Sequence, residues 1–135
     1  MKSYDYIAFD VDGTLLDTEY SIIKSLQRLV FQMQGRTIRE EYEKGVVSRG
    51  LGDYFETVVC CDDTARHKPN PEPMLFYLSQ SKASPKQVLY VGDSIYDMKC
   101  AEAAGVHGAL ALWGCKSREQ IQAEYYLKKP TELLK

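Results

Sequence analysis

Two short apolar segments of this chain each end in aspartate. The segment at residues 4–10 leads into Asp10-Val11-Asp12-Gly13-Thr14, and the segment at residues 87–91 leads into Gly92-Asp93. Both segments are short, rich in β-branched or aromatic side chains and followed by turn residues, which is typical of buried strands. The carboxyl ends of strands form the edge at which open α/β sheets bind ligands. The pattern therefore favours a parallel sheet with an acidic site at one edge.

Helix and strand patterns alternate along the chain. Apolar residues at helical spacing, together with capping residues, predict helices at residues 19–34, 37–49, 71–81, 94–104 and 117–123. Further strands are predicted at residues 57–61, 108–112 and 125–127. This alternation predicts an α/β fold in which a mostly parallel sheet lies between two layers of helices. The 135 residues suffice for a single domain of this kind.

Composition and charge limit the kinds of molecule that the chain could bind. Hydrophobic residues make up 44% of the chain and charged residues 27%, which is typical of a globular protein. A net charge of -2 gives no electrostatic basis for binding nucleic acid or an anionic membrane. No apolar run reaches the roughly 20 residues that a membrane helix needs, and the N-terminus leads directly into a strand-like segment without an apolar signal. We expect a cytoplasmic protein with no nucleic-acid or membrane partner.

The acids at the strand ends predict a magnesium site. Asp10 and Asp12 lie two residues apart, and Gly13 lets the chain turn directly after them. Close carboxylates repel one another unless a cation or a proton intervenes. With Asp93 as a third acid, the set offers the oxygen ligands that Mg²⁺ prefers. A simpler explanation stays open, since Asp-Gly is common in turns and Asp97 would be favoured by the dipole of the following helix.

A lysine lies between the two acidic motifs, in the loop His67-Lys68-Pro69-Asn70-Pro71. A lysine in a polar loop is usually solvated surface. The prolines that follow this one stiffen the backbone, however, and so restrict where its ammonium points. An ammonium held near carboxylates would neutralise a phosphate oxygen or the acids themselves.

The motifs D-x-D-G-T, K-P and G-D-S-x-x-D, in this order, resemble those of the haloacid dehalogenase superfamily, whose core is a three-layer, Rossmann-like α/β domain. The likeness is greatest to the phosphoglycolate-phosphatase-like branch and covers nearly the whole chain. It rests on FDVDGTLLDTE at residues 9–19, RHKPNPEPML at 66–75, LYVGDSIYDMKCAEAAGV at 89–106 and YYLKKPTELL at 125–134. The resemblance implies a phosphatase that acts on a small phosphorylated substrate.

The resemblance also implies catalytic roles for the motif residues. Asp10 would be the nucleophile that accepts the phosphoryl group, and Asp12 would be the general acid and then the general base. Lys68 would orient Asp10 and offset the charge of the phosphate. Gly13, Thr14 and Lys68 would contact the substrate.

A bound Mg²⁺ is implied by the same resemblance. Asp10 and Asp93 would be its carboxylate ligands, and the backbone carbonyl of Asp12 a further ligand. Asp97 would support the water shell of the metal. A carboxylate can attack an anionic phosphate only if the negative charge is offset, which Mg²⁺ and Lys68 would do.

Two features of the family are missing from the sequence. Relatives carry a helical cap domain after the first helix, and a second core strand that ends in a phosphate-binding Ser or Thr. Here the helix that stops at Gly35 is followed at once by one that begins at Thr37, so we expect an internal deletion near Ile38 and Arg39. The first strand would then keep an exposed edge, through which an oligomer could form. The sequence leaves open whether the segment was lost naturally, was removed by engineering, or was left out of a sequence that is numbered without a gap.

Three functions fit these motifs to different degrees. The first is a magnesium-dependent phosphohydrolase that works through an aspartyl-phosphate and is weak without its cap. The second is a fragment without catalysis that acts through metal or partner binding. The third, a phospho-acceptor receiver domain, also pairs acids, a lysine and Mg²⁺ but fits D-x-D-G-T poorly. Phosphoglycolate, sugar phosphates, nucleotides and pyrophosphate all stay open as substrates.

Overall fold

A computed structural model of the chain describes residues 1–10, 13–14, 55–116 and 121–134. Its regular elements are, in chain order, β1 (Tyr6–Phe9), α1 (Glu72–Ser81), β2 (Val88–Gly92), α2 (Ile95–Ala104), β3 (His107–Ala111) and β4 (Tyr125–Leu127). Short 3-10 turns are formed by Cys61–Asp63, Pro85–Gln87 and Pro130–Leu134. The helices predicted at residues 19–34 and 37–49, and the expected junction near residues 38–39, lie outside the described residues.

The four described strands form one parallel sheet in the order β1-β2-β3-β4. Phe9 at the end of β1 lies opposite Val91 near the end of β2. The ladder continues one residue further, because the Asp10 N–H donates to the Val91 carbonyl at 2.8 Å. The carboxyl ends of β1 and β2 are therefore neighbours, and the predicted α/β fold with a parallel sheet is confirmed.

The central strand β2 is buried on both faces, as a strand between covered layers must be. Val88 and Tyr90 pack with side chains of α1 and α2 in one core cluster. Leu89 and Val91 point to the opposite face, where they pack with residues of β3 and β4. Full burial of each large apolar side chain contributes on the order of 1.5–3 kcal/mol, which fixes the position of the acids that follow the strand.

Both described helices begin one residue after the predicted start. Asn70 Oδ1 accepts from the Glu72 N–H at 2.9 Å, ahead of α1. Ser94 Oγ caps α2 by accepting from the Asp97 N–H at 3.3 Å. Such caps satisfy backbone donors that have no partner inside the helix.

Within the described part of the chain, no helix is long and apolar enough to cross a membrane.

Two predicted elements are wrong in part. The strand predicted at residues 57–61 is not formed, and Cys61–Asp63 makes a 3-10 turn instead. A segment becomes a strand through hydrogen bonds to a neighbouring strand, and the neighbour expected here is the core strand for which the sequence shows no pattern. The helix predicted at residues 117–123 does not include residues 121–123. The Glu124 N–H donates to the Gly108 carbonyl, which commits this segment to the sheet. Residues 117–120 lie outside the described residues.

Candidate active site

The predicted site residues that the structure describes meet at the carboxyl edge of the sheet. Asp10 follows β1, Asp93 follows β2, and Asp97 lies in the first turn of α2. One carboxylate oxygen of each lies within 4.8 Å of the others, close enough to hold one metal ion. The loop before α1 brings Lys68 into the same group.

The Lys68 ammonium is held by three acceptors. Its Nζ donates to Asp10 Oδ1 at 2.9 Å, to Asp97 Oδ1 at 2.7 Å and to the Tyr90 hydroxyl at 3.3 Å. A lysine ammonium has three N–H donors, so each donor has a protein acceptor. Burial on its own would lower the pKa of Lys68, but Asp10 and Asp97 raise it well above its ordinary value. The site therefore holds a fixed positive charge.

Asp97 is surrounded by donors and is only 1% exposed. Its Oδ1 accepts from Lys68 and from the Tyr90 hydroxyl, the latter at 2.8 Å. Its Oδ2 accepts from the Ser94 hydroxyl at 2.8 Å and from the backbone N–H groups of Asp93 and Ser94, both at 3.2 Å. Burial favours the neutral acid, yet the Lys68 charge and these hydrogen bonds hold the pKa of Asp97 below its ordinary value. These contacts favour Asp97 as an anchor for Lys68.

Asp10 lies nearer the opening of the site. Its side chain is 15% exposed, and its Oδ2 receives a long contact of 3.4 Å from the Thr14 hydroxyl. Burial raises the pKa of Asp10 to about 6, while the charge of Lys68 opposes that rise. Lys68 thus holds one oxygen of Asp10 firmly, whereas the contact of Thr14 with the other oxygen is weak, and a hydrogen bond with the Asp93 side chain also lowers the pKa of Asp10.

The donor set around Asp93 fits a divalent cation. Burial raises the pKa of Asp93 to about 8, and repulsion from Asp10 and Asp97 adds to the rise. Crowded carboxylates of this kind share a proton or a cation. Because Asp97 is buried and its two oxygens accept five hydrogen bonds from the protein, the less buried Asp10 and Asp93 are the carboxylates that could hold Mg²⁺.

The turn after β1 packs directly against the second acidic motif. Gly13 has a φ of 80°, in the left-handed region, and a Cβ there would lie 2.0 Å from Asp93 Oδ2. Glycine is therefore required both by the backbone and by the carboxylate beside it. Trp113, after β3, braces the turn because its indole N–H donates to the Thr14 carbonyl at 2.9 Å.

Comparison with known proteins identifies the family. The family model described as haloacid dehalogenase-like hydrolase matches residues 34–111, which is more than half of the chain. The chain belongs to the haloacid dehalogenase-like hydrolases. The resemblance that the motifs carry is thereby confirmed at the level of the family.

Two curated relatives of this haloacid dehalogenase-like chain are pyrophosphatases named PpaX. The protein from Bacillus velezensis is 29% identical and that from Bacillus pumilus 30% identical. Each alignment covers 98% of this chain but 64% of the relative, so the chain spans less than two thirds of the relatives' length. A Lactobacillus plantarum structure, provisionally named a phosphoglycolate phosphatase, matches with a TM-score of 0.83 at 21% identity, over 98% of this chain and 99% of that one. This likeness shows the shared fold.

In this haloacid dehalogenase-like site, the structure brings together Asp10, Gly13, Thr14, Lys68, Asp93 and Asp97. Asp12, predicted as acid, base and metal ligand, lies outside the described residues. Sequence reasoning missed Tyr90 and Trp113. Two features of the sequence could have revealed them: Tyr90 carries the single hydroxyl of an otherwise apolar strand, and Trp113, the only tryptophan of the chain, lies two residues after the end of β3.

Proposed function

We propose that this chain is a phosphohydrolase that uses Asp10 to accept a phosphoryl group from a phosphate monoester. The observation that carries the proposal is the contact between Asp10 and Lys68. It leaves one oxygen of Asp10 near the opening of the site while the other is fixed by a cation. Membership of a hydrolase family supports the same class of reaction.

In the first step, a carboxylate oxygen of Asp10 attacks phosphorus while the ester P–O bond breaks. The leaving oxygen needs a proton, which we assign to Asp12 as general acid. The attack requires Asp10 to be ionised, and Lys68 supports that state against the effect of burial. The products of this step are an alcohol and an aspartyl-phosphate at Asp10.

In the second step, water attacks the phosphorus of the aspartyl-phosphate. Asp12, now ionised, accepts a proton from that water as general base. The bond between Asp10 and phosphorus breaks, inorganic phosphate leaves, and both acids return to their starting states. Lys68 stays protonated throughout because its pKa is raised by its carboxylate neighbours.

Asp10 and Asp93 would hold Mg²⁺ in this mechanism, with the Asp12 carbonyl as a further ligand. When bound, the ion supplies positive charge that offsets the charge of the phosphate. Burial raises the pKa of both Asp10 and Asp93, and repulsion from neighbouring carboxylates adds to the rise, which supports this assignment. Asp97 would support the metal's water shell without binding the ion itself, because its carboxylate oxygens accept hydrogen bonds from protein donors.

We infer that the substrate is a small phosphorylated molecule and that the protein works in the cytoplasm. The names of the relatives make pyrophosphate and phosphoglycolate the natural substrates to assay beside an aryl phosphate. An internal deletion near Ile38 and Arg39 remains our proposal for the missing cap. The alignments cover 98% of this chain but 64% of the relatives, so the relatives carry residues that have no counterpart in this chain.

The test is turnover of 4-nitrophenyl phosphate by the full chain, with Mg²⁺ and with excess EDTA. We expect phosphate release with Mg²⁺, its loss with EDTA, and no release by Asp10→Asn under either condition. Wild-type and Asp10→Asn protein must have the same circular dichroism spectrum and melting temperature for the comparison to count. Equal turnover by Asp10→Asn would refute the assigned nucleophile.

A further inference from the structure

The hydroxyl group of Tyr90 lies next to two charged groups of the active site, Lys68 and Asp97. Tyr90 lies at the middle of β2, is 6% exposed, and its ring packs in the core cluster shared with α1 and α2. Its hydroxyl donates to Asp97 Oδ1 at 2.8 Å and accepts from Lys68 Nζ at 3.3 Å. A buried hydroxyl needs such partners, and here both of them are charged groups of the site.

These contacts close a triangle of hydrogen bonds. Lys68 donates to Asp97 at 2.7 Å, so each of the three groups touches the other two. Two carboxylates alone would let the ammonium pivot about the line that joins them. The hydroxyl supplies the third acceptor and removes that freedom, which also fixes the N–H that points to Asp10.

Gly92 makes the triangle sterically feasible. It lies two residues after Tyr90, on the same face of β2. A Cβ at Gly92 would lie 2.4 Å from Asp97 Cβ and 2.7 Å from Asp97 Oδ2. Without a side chain at this position, Asp97 rests directly on the strand and reaches the Tyr90 hydroxyl.

We propose that Tyr90 is a positioning residue. Its hydroxyl fixes the Lys68 ammonium and the Asp97 carboxylate relative to each other, so that Lys68 orients Asp10 for phosphoryl transfer. The proposal rests on the phosphohydrolase function proposed above. It assigns Tyr90 a role through Lys68, and no direct contact with the substrate.

The kinetic test uses Tyr90→Phe, which removes the hydroxyl and keeps the buried ring. With 4-nitrophenyl phosphate and Mg²⁺, kcat should fall roughly tenfold, the usual cost of a hydrogen bond to a charged group, with KM unchanged. Tyr77→Phe is the matched control, because Tyr77 packs against the same core cluster and its hydroxyl interacts with Ser81, away from the site. Wild-type kinetics in Tyr90→Phe, or an equal loss in Tyr77→Phe, would overturn the proposal.

A double-mutant comparison separates positioning from general packing. If Tyr90 acts through Lys68, then Tyr90→Phe should cost nothing further in a Lys68→Met background. The same fold-loss in both backgrounds would show that the hydroxyl acts independently of Lys68.

A second measurement does not depend on turnover. In protein with ¹⁵N-labelled lysine side chains, the Lys68 ammonium should give a slowly exchanging signal, which Lys68→Met identifies by its loss. Tyr90→Phe should shift this signal and speed its proton exchange, whereas Tyr77→Phe should leave it unchanged. A wild-type chain without turnover would refute the proposed function, but this signal would still report on Tyr90. An unchanged Lys68 signal in Tyr90→Phe would refute the inference itself.

Discussion

Lys68 lies closer to Asp97 than to Asp10, with distances from Nζ to the carboxylate oxygen of 2.7 Å and 2.9 Å. Asp97 is 1% exposed, whereas the side chain of Asp10 is 15% exposed. The buried carboxylate therefore anchors the lysine, and the carboxylate near the opening is left available for chemistry. The two acids differ in function because they differ in burial and in hydrogen-bond donors.

Asp97→Asn should weaken both the fold and the reaction. The change removes the buried charge that pairs with the partly exposed Lys68, so we expect a loss of roughly 3 kcal/mol in the free energy of unfolding, measured by urea denaturation. Turnover should fall as well, because Lys68 loses its anchor. Glu102→Gln, an exposed change on the same helix, is the control and should alter neither quantity by much. An Asp97→Asn variant as stable as wild type would contradict this role.

Magnesium should stabilise the chain through Asp93. At about 100 times its dissociation constant, a ligand that binds the folded state adds about 2.7 kcal/mol, which thermal unfolding detects as a higher Tm. Asp93→Asn should abolish this rise. Asp97→Asn should keep most of it, since its oxygens already accept from protein donors. Equal magnesium responses in wild type and Asp93→Asn would refute the metal assignment.

Trp113 should report on the turn after β1. Its indole N–H donates to the Thr14 carbonyl, and it is the only tryptophan in the chain. We expect its fluorescence to change when Mg²⁺ is added to wild type, but not when it is added to Asp93→Asn. Trp113→Phe should cost about 1 kcal/mol of stability and lower kcat, because the turn loses its brace. Unaltered turnover in Trp113→Phe would show that the contact has no effect on the reaction.

Restoring the missing segment should raise activity on small substrates. The sequence pattern predicts no strand that ends in Ser or Thr between the D-x-D-G-T turn and Lys68. Losing one donor to a transition-state oxygen typically costs on the order of 3 kcal/mol, or about 100-fold in rate. We expect a higher kcat/KM for a chain with a cap and a second strand inserted between Ile38 and Arg39. Equal values would favour an enzyme whose large substrate closes the site itself.

The strand-end acids could be predicted because their signal is local. Asp10 and Asp93 follow apolar strands, and parallel pairing brings such ends to one edge of the sheet. The starts of α1 and α2 could also be predicted, because the side chains of Asn70 and Ser94 accept hydrogen bonds from backbone N–H groups in the first turns of these helices.

The remaining features depend on partners distant in sequence. Tyr90 resembles any core aromatic until the fold brings Lys68 and Asp97 to its hydroxyl. The motif around Asp97 implies only that this residue supports the metal's water shell. Its contacts with Lys68 and Tyr90 form when α2 packs on β2, so the motif alone does not predict them. The strand predicted at residues 57–61 had suitable side chains, but strand formation also requires a neighbour.

The most direct test of the proposed mechanism is to trap the phosphoryl group on Asp10. The full chain would be mixed with 4-nitrophenyl phosphate and Mg²⁺, quenched in acid within the first turnover, and digested for peptide mass spectrometry. We predict one added phosphoryl group on Asp10, which is lost when the quench is delayed until the substrate is exhausted. Steady turnover without a phosphorylated peptide at any quench time, or with the phosphoryl group on another residue, would contradict the mechanism.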